Sequence, residues 1–185
     1  MNKPRNEFDI VYDIKNNFKY FSKEELLGFV KWSIVKIHED LKDGDIDKVN
    51  SICSKKLERK LENDREKYRL TNDIDRITIQ FIDIYDCIKK DGIAYIKVYV
   101  SIYFYDNTLN NEVNNTGNDK YFDDIWLVTL KEDRNPDKQK TNKCDNCGSI
   151  LHFDYEKEIF ECKYCGNTVY DIPKANWIID DIEIK

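Results

Sequence analysis

The sequence predicts an α+β fold, with N-terminal helices packed on a curved, cone-like antiparallel sheet and a short cysteine-bearing β-hairpin inserted late in the chain. Three observations carry this reading. As far as Gly44, apolar residues recur at steps of three and four; from residue 76 they alternate with period two; and two CxxCG turns, CDNCG and CKYCG, precede a final apolar segment.

Phe8, Val11, Tyr12 and Phe18 fall near one side of a first short helix. Ser22-Lys23-Glu24-Glu25 has the Ser-x-x-Glu form of a capping box, which supplies a hydroxyl and a carboxylate to otherwise orphaned amides. After it, Leu26, Val30, Ile34, Ile37 and Leu41 form the apolar stripe of a second helix that Gly44 stops. Ile46, Val49, Ile52 and Cys53 point inward from a short helical piece. The charged stretch 54–70 continues as helix, with Leu57, Leu61, Tyr68 and Leu70 as its thin apolar side.

Residues 76–89 then alternate as a strand, and Asp91-Gly92 is a two-residue hairpin signal. The partner strand, 93–105, puts Ala94, Ile96, Val98, Val100, Ile102 and Phe104 on one face. Its other face carries Tyr95, Lys97, Tyr99, Ser101, Tyr103 and Tyr105. An Asn-rich loop (106–119), a third strand from Tyr121 to Leu130, a polar connector (131–143) and a last strand from Asn176 to Ile184 complete the order. The predicted domains are 1–142, holding the helices and first three strands, the insertion 143–171, and the closing strand 172–185.

Cys144, Cys147, Cys162 and Cys165 are the chemically informative residues. Two CxxC turns separated by fourteen residues supply four sulfurs in the pattern of a structural zinc ribbon holding one Zn2+ ion. Two disulfides or a redox pair are the competing uses of such turns. Cys53 and Cys87 stand alone, nothing in the sequence signals export, and a redox CxxC opens a helix after a strand, whereas these turns are flanked by strands. Four thiolates leave the metal no open position, so the ion is structural and not catalytic.

A 185-residue chain with 41% hydrophobic residues supports one ordinary domain and a small insertion. The N-terminus lacks an apolar signal-peptide core, and the longest apolar run, VYVSIYFY at 98–105, is too short to span a bilayer. The expectation is a soluble, cytoplasmic protein. Net charge is −6, and segment 143–171 holds three lysines against six acids, the wrong sign for nucleic acid.

The order of elements resembles bacterial relatives of the matrix-side scaffold subunit of the mitochondrial inner-membrane import translocase (subunit forty-four). The matching stretches are EDLKDGDIDKV after the second helix, SIYFYDNTLNNEV, YFDDIWLVTL with Trp126, and CDNCGSILHF and FECKYCGN followed by NWIIDDI. The resemblance implies a nuclear-transport-factor-two-like cone with an inserted zinc ribbon. It also implies a non-enzymatic scaffold that holds a protein or peptide partner, with a transport-related role at the membrane surface.

Other candidate sites each have a plainer use. Tyr95, Tyr99, Tyr103 and Tyr105 with Asp83 or Asp86 supply the groups for a catalytic interior, yet strand aromatics ordinarily cover sheet surface. Lys56, Lys60 and Lys67, with Arg59 nearby, form a basic stripe on helix 54–70 suited to weak peripheral membrane contact, although neighbouring glutamates offer intrahelical pairs. His38 reads as a core-edge residue, His152 lies off the knuckle spacing, and Cys53 and Cys87 read as small buried side chains. The sequence thus predicts a zinc-binding, non-enzymatic adaptor; the alternative is a small-molecule binder or enzyme using the interior of the cone.

Overall fold

In a computed structural model of the chain, the residues described are 6–17, 22–42, 44, 49, 52–106, 121–133, 143–144, 146–149, 151–154, 159–169 and 177–185. The element order is α1 (Glu7–Asn17), α2 (Lys23–Lys42), α3 (Lys55–Asn63), β1 (Ile74–Lys90), β2 (Ile93–Asp106), β3 (Tyr121–Glu132), β4 (His152–Asp154), β5 (Ile159–Glu161), β6 (Thr168–Val169) and β7 (Trp177–Ile184). The chain divides into two compact units, Met1–Lys131 with Ile178–Lys185, and Glu132–Trp177. The first is α+β.

Its helices end where local chemistry ends them. Ser22 Oγ accepts the Glu25 N–H at 3.2 Å at the start of α2. At the other end Gly44, with φ at +82°, donates its N–H to the Leu41 carbonyl. The Arg65 guanidinium adds hydrogen bonds to the Leu41 and Lys42 carbonyls, placing a cation at the negative end of the helix. Leu26, Val30, Ile34, Ile37 and Leu41 are all buried, as their spacing predicts.

Two helical expectations are corrected. The buried side of α1 is Ile10 and Ile14, while Tyr12 is 59% exposed; the side chain of Phe8 and all of Phe18 lie outside the described residues. Helix 54–70 stops at Asn63, and residues 64–69 form successive turns. Arg69 adopts a left-handed φ of +53°, which swings Tyr68 and Leu70 both into the core, each fully buried. A continued helix would set them 200° apart, so packing outweighs the favourable helix propensity of a charged run.

The sheet of the first unit is four-stranded and antiparallel, in the order β1-β2-β3-β7. Asp91 and Gly92 both take positive φ, the geometry of the tight turn their sequence predicts. The even residues of β2, Ala94 to Phe104, are buried, and His38 of α2 lies with its ring 6.3 Å from Phe104. The even face is therefore the helix-covered one, and burial of each large side chain there contributes roughly 1.5–3 kcal/mol. The odd face, with Tyr95, Tyr99, Tyr103 and Tyr105, points away and is half-buried. The Asn-rich loop and most of the polar connector lie outside the described residues.

β7 has few neighbours in sequence, yet the first unit holds it on both sides. Lys185 N–H donates to the Ile125 carbonyl of β3, and along the other edge Ser54 N–H donates to the Ile179 carbonyl and Ile179 N–H to the Ile52 carbonyl, around the Cys53–Ile179 bridge. Tyr68 Oη donates to the Ile182 carbonyl at 3.1 Å. The backbone edge that would otherwise be open is thus largely satisfied.

Candidate metal centre

The second unit contains a small three-stranded sheet in the order β4-β5-β6, with Phe153 opposite Phe160 and Phe160 opposite Val169. One cysteine turn precedes β4 and the other joins β5 to β6, and the two share one backbone plan. In the first, Cys144 N–H donates to Ser149 O and Gly148 N–H to Cys144 O, both at 2.8 Å. In the second, Cys162 N–H donates to Asn167 O and Gly166 N–H to Cys162 O, also at 2.8 Å. Gly148 and Gly166 sit at φ +72° and +71°, a conformation that costs an L-residue with a Cβ about 1–2 kcal/mol. This is why each CxxC is followed by glycine.

These turns bring all four predicted ligands together: the sulfurs of Cys144, Cys147, Cys162 and Cys165 lie within 4.8 Å of one another. Across the turns, Cys144 Sγ is 3.6 Å from Cys165 Sγ and Cys147 Sγ is 3.5 Å from Cys162 Sγ. Tetrahedral coordination with metal–sulfur bonds of about 2.3 Å requires edges of about 3.8 Å, so the donor set fits a single ion. Cys144 and Cys162 are buried beside Leu151 and Phe160, whereas Cys147 and Cys165 reach the surface.

Electrostatics point the same way. The Ser149 hydroxyl and N–H hold the Cys147 thiol down at about 6. Burial alone would raise Cys144, but the N–H groups of Cys147 and Asn146 outweigh it and bring that thiol below its ordinary value. Cys162 moves oppositely, up to about 11: the Cys165 N–H favours its thiolate, but burial and the adjoining sulfurs keep the proton on. Four sulfurs in so small a volume cannot all ionise unless a cation neutralises them. The chain can hold a metal ion here.

No protein-family model matches this sequence, and no curated protein matches it either.

The other sequence candidates do not converge into a site. Asp83 Oδ1 pairs with Lys23 at 2.8 Å and accepts the Ile84 N–H, and Asp86 Oδ1 accepts the Cys87 N–H. In register, Asp83 stands opposite Tyr99 and Asp86 opposite Lys97, so both lie on the face of the tyrosines. Within the basic stripe, Lys60 and Lys56 both approach Asp181, at 2.6 and 3.8 Å, and Lys67 lies over the Tyr68 ring. Cys53 and Cys87 are buried. His38 is buried more deeply than a core-edge residue, and its imidazole is pushed down to about 4 by burial and by Lys42. His152 starts β4; its side chain lies outside the described residues.

Sequence reasoning missed two polar contacts. Asn167 Nδ2 donates to Cys144 Sγ at 3.7 Å, bridging from one turn to a sulfur of the other. Its signal is its place directly after the second CxxCG, where a side-chain amide reaches back toward the sulfurs. Arg69 makes a two-armed pair with Asp124 at 2.8 and 3.3 Å and stacks on Phe122, which no local pattern announces.

Proposed function

We propose that this chain is a non-enzymatic, zinc-binding scaffold whose inserted zinc ribbon shapes a surface for a protein or peptide partner. The observation that carries the reading is the convergence of four cysteine sulfurs, with no other ligand type among them. Thiolate donors select zinc over harder cations, and a filled tetrahedron leaves no position for a substrate. The apolar cluster of the second unit, Leu151 and Phe160 beside two of the cysteines, is too small to stabilise a fold of that length unaided. Binding of the metal is then folding energy for this part of the chain. The cytoplasmic location and transport-related role implied by the resemblance to the import-subunit family belong to the same proposal. No helix of the described residues is long and apolar enough to cross a membrane.

The test measures metal content and partner retention together. Purified protein should carry one zinc per chain, and Cys162→Ser should lose both the zinc and the partner retained by the wild type. A partner held equally well after complete removal of the metal would overturn the proposal.

One observation favours the alternative, a small-molecule binder using the interior. His38 Nε2 and Trp126 Nε1 are buried without hydrogen-bond partners, and both rings lie against Phe104, at 6.3 and 5.8 Å. An acceptor and a donor left unmatched in one apolar neighbourhood suit a small polar ligand. Native mass spectrometry that shows the chain with its metal and no further ligand removes this reading.

A further inference from the structure

The four sulfurs of the metal centre differ in access. Cys144 and Cys162 are 2% and 0% exposed and pack with Leu151 and Phe160, whereas Cys147 and Cys165 are open to solvent. Each exposed sulfur lies against a buried sulfur of the opposite turn. Cys147 Sγ is 3.5 Å from Cys162 Sγ, and Cys165 Sγ is 3.6 Å from Cys144 Sγ. A surface sulfur with a second sulfur in reach is the arrangement of an oxidant-reactive cysteine and its resolving partner. The centre holds two such pairs.

We propose that this centre is also an oxidation site, at which a peroxide converts the four cysteines into disulfides across the two turns and expels the metal. In the first step the exposed Cys147 sulfur attacks one peroxide oxygen. The O–O bond breaks, the sulfur becomes a sulfenic acid and hydroxide departs. In the second step the Cys162 sulfur attacks the Cys147 sulfur, the S–O bond breaks and a second hydroxide leaves. Two thiolates thereby lose two electrons, and one peroxide is reduced, with two protons from solvent, to two waters. The Cys165 and Cys144 pair reacts in the same way with a second peroxide. A disulfide is about 2.05 Å long, so each pair has only about 1.5 Å to close. A link between turns also leaves in place the backbone bonds within each turn, from Cys144 N–H to Ser149 O and from Cys162 N–H to Asn167 O. Leu151 and Phe160 screen the two buried sulfurs from the oxidant, so these act as attacking groups and not as first targets. The first disulfide removes two of the four ligands, and a structural zinc site does not survive with two. The consequence for partner binding rests on the zinc-scaffold reading: an oxidant that expels the metal would release the partner as well.

Hydrogen peroxide added to the full chain tests the proposal, with released zinc read by a chromophoric chelator and linkage read by a tryptic map after free thiols are alkylated. Trypsin cuts after Lys143, Lys157, Lys163 and Lys174, which places Cys144 and Cys147 on one peptide, Cys162 on a second and Cys165 on a third. The expected result is full release of zinc, with peptide 144–157 joined to 158–163 through Cys147 and Cys162 and to 164–174 through Cys144 and Cys165. Dithiothreitol should restore the thiols and zinc binding. Cys53 and Cys87, 4% and 9% exposed, should remain thiols throughout and serve as internal controls. Thiols that all stay intact under millimolar peroxide overturn the proposal. Links within a turn, Cys144 to Cys147 or Cys162 to Cys165, overturn it as well, as does oxidation that dithiothreitol cannot reverse. Zinc content measured before the oxidant is added reports on the metal reading separately, and the linkage map decides the oxidation whether or not the chain arrives with metal.

Discussion

The Lys60 ammonium lies 2.6 Å from the Asp181 carboxylate and 2.8 Å from the Ile182 carbonyl, and thereby fastens α3 to the last strand of the sheet. The two residues are 121 positions apart in sequence. Between them the chain leaves for the second unit and returns, so this contact helps to fix where β7 rejoins the sheet.

Replacement of Asp181 by alanine should therefore cost about 1–2 kcal/mol, more than a fully exposed ion pair, because the part-buried Lys60 ammonium loses its one carboxylate partner and keeps only the Ile182 carbonyl and the Tyr68 side chain. Burial raises the Asp181 carboxyl but the Lys60 hydrogen bond outweighs it, and the net direction is down. The pair's contribution is accordingly present above the ordinary carboxylate range and lost as pH falls below it. Thermal unfolding of wild type and Asp181→Ala at pH 7 and pH 3 should show a gap that closes at the lower pH.

Cys162→Ser should abolish stoichiometric metal binding and disorder residues 143–169 while the four-stranded sheet persists. The anchors of β7 at Ser54, Lys60 and Tyr68 all lie in the first unit and do not involve the sulfurs. Amide spectra before and after chelation check this: peaks of the second unit should collapse to random-coil positions, and those of β1 to β3 should remain dispersed.

Gly148→Ala should weaken metal affinity roughly tenfold through backbone strain alone, about 1–2 kcal/mol. An added Cβ meets nothing within 4 Å, so no steric term contributes. Competition with a chromophoric chelator measures the change, and Gly166→Ala should match it because the two turns share one geometry.

His38 should make stability fall in mild acid. Its folded-state value of about 4 lies below the ordinary 6.5, so both states are neutral above pH 6.5. Between 6.5 and 4 the unfolded chain takes up a proton that the folded chain refuses, and stability drops by at most ~3 kcal/mol. His38→Gln should remove that part of the slope. Denaturant titrations of both proteins at pH 7.5 and pH 5 measure it, with the slope difference as the readout.

Legibility in the sequence followed the range of the interactions. The stripe of α2, its Ser22 start and Gly44 stop, the Asp91-Gly92 turn and the even face of β2 rest on contacts within about four residues or on strict alternation, and all were readable. The metal centre was readable for the same reason, since each CxxCG turn builds its own backbone hydrogen bonds before it meets the other. The early end of α3 was not. The run 64–70 has helix-forming composition, and only the need to bury both Tyr68 and Leu70 breaks it. The inward side of α1 was misassigned because Ile10 and Ile14 and the pair Val11 and Tyr12 are both compatible with helical spacing. The sheet to be covered decides between them.

By itself, the sequence determined the order of helices before strands, the two faces of β2 and the four cysteines that converge, because local periodicity and turn chemistry specify them. Tertiary structure alone decided that Lys60 and Tyr68 secure β7 and that Arg69 answers Asp124. Each of these depends on strand register and on contacts between residues far apart in the chain. Such contacts carry no local pattern; they exist only once the core has closed.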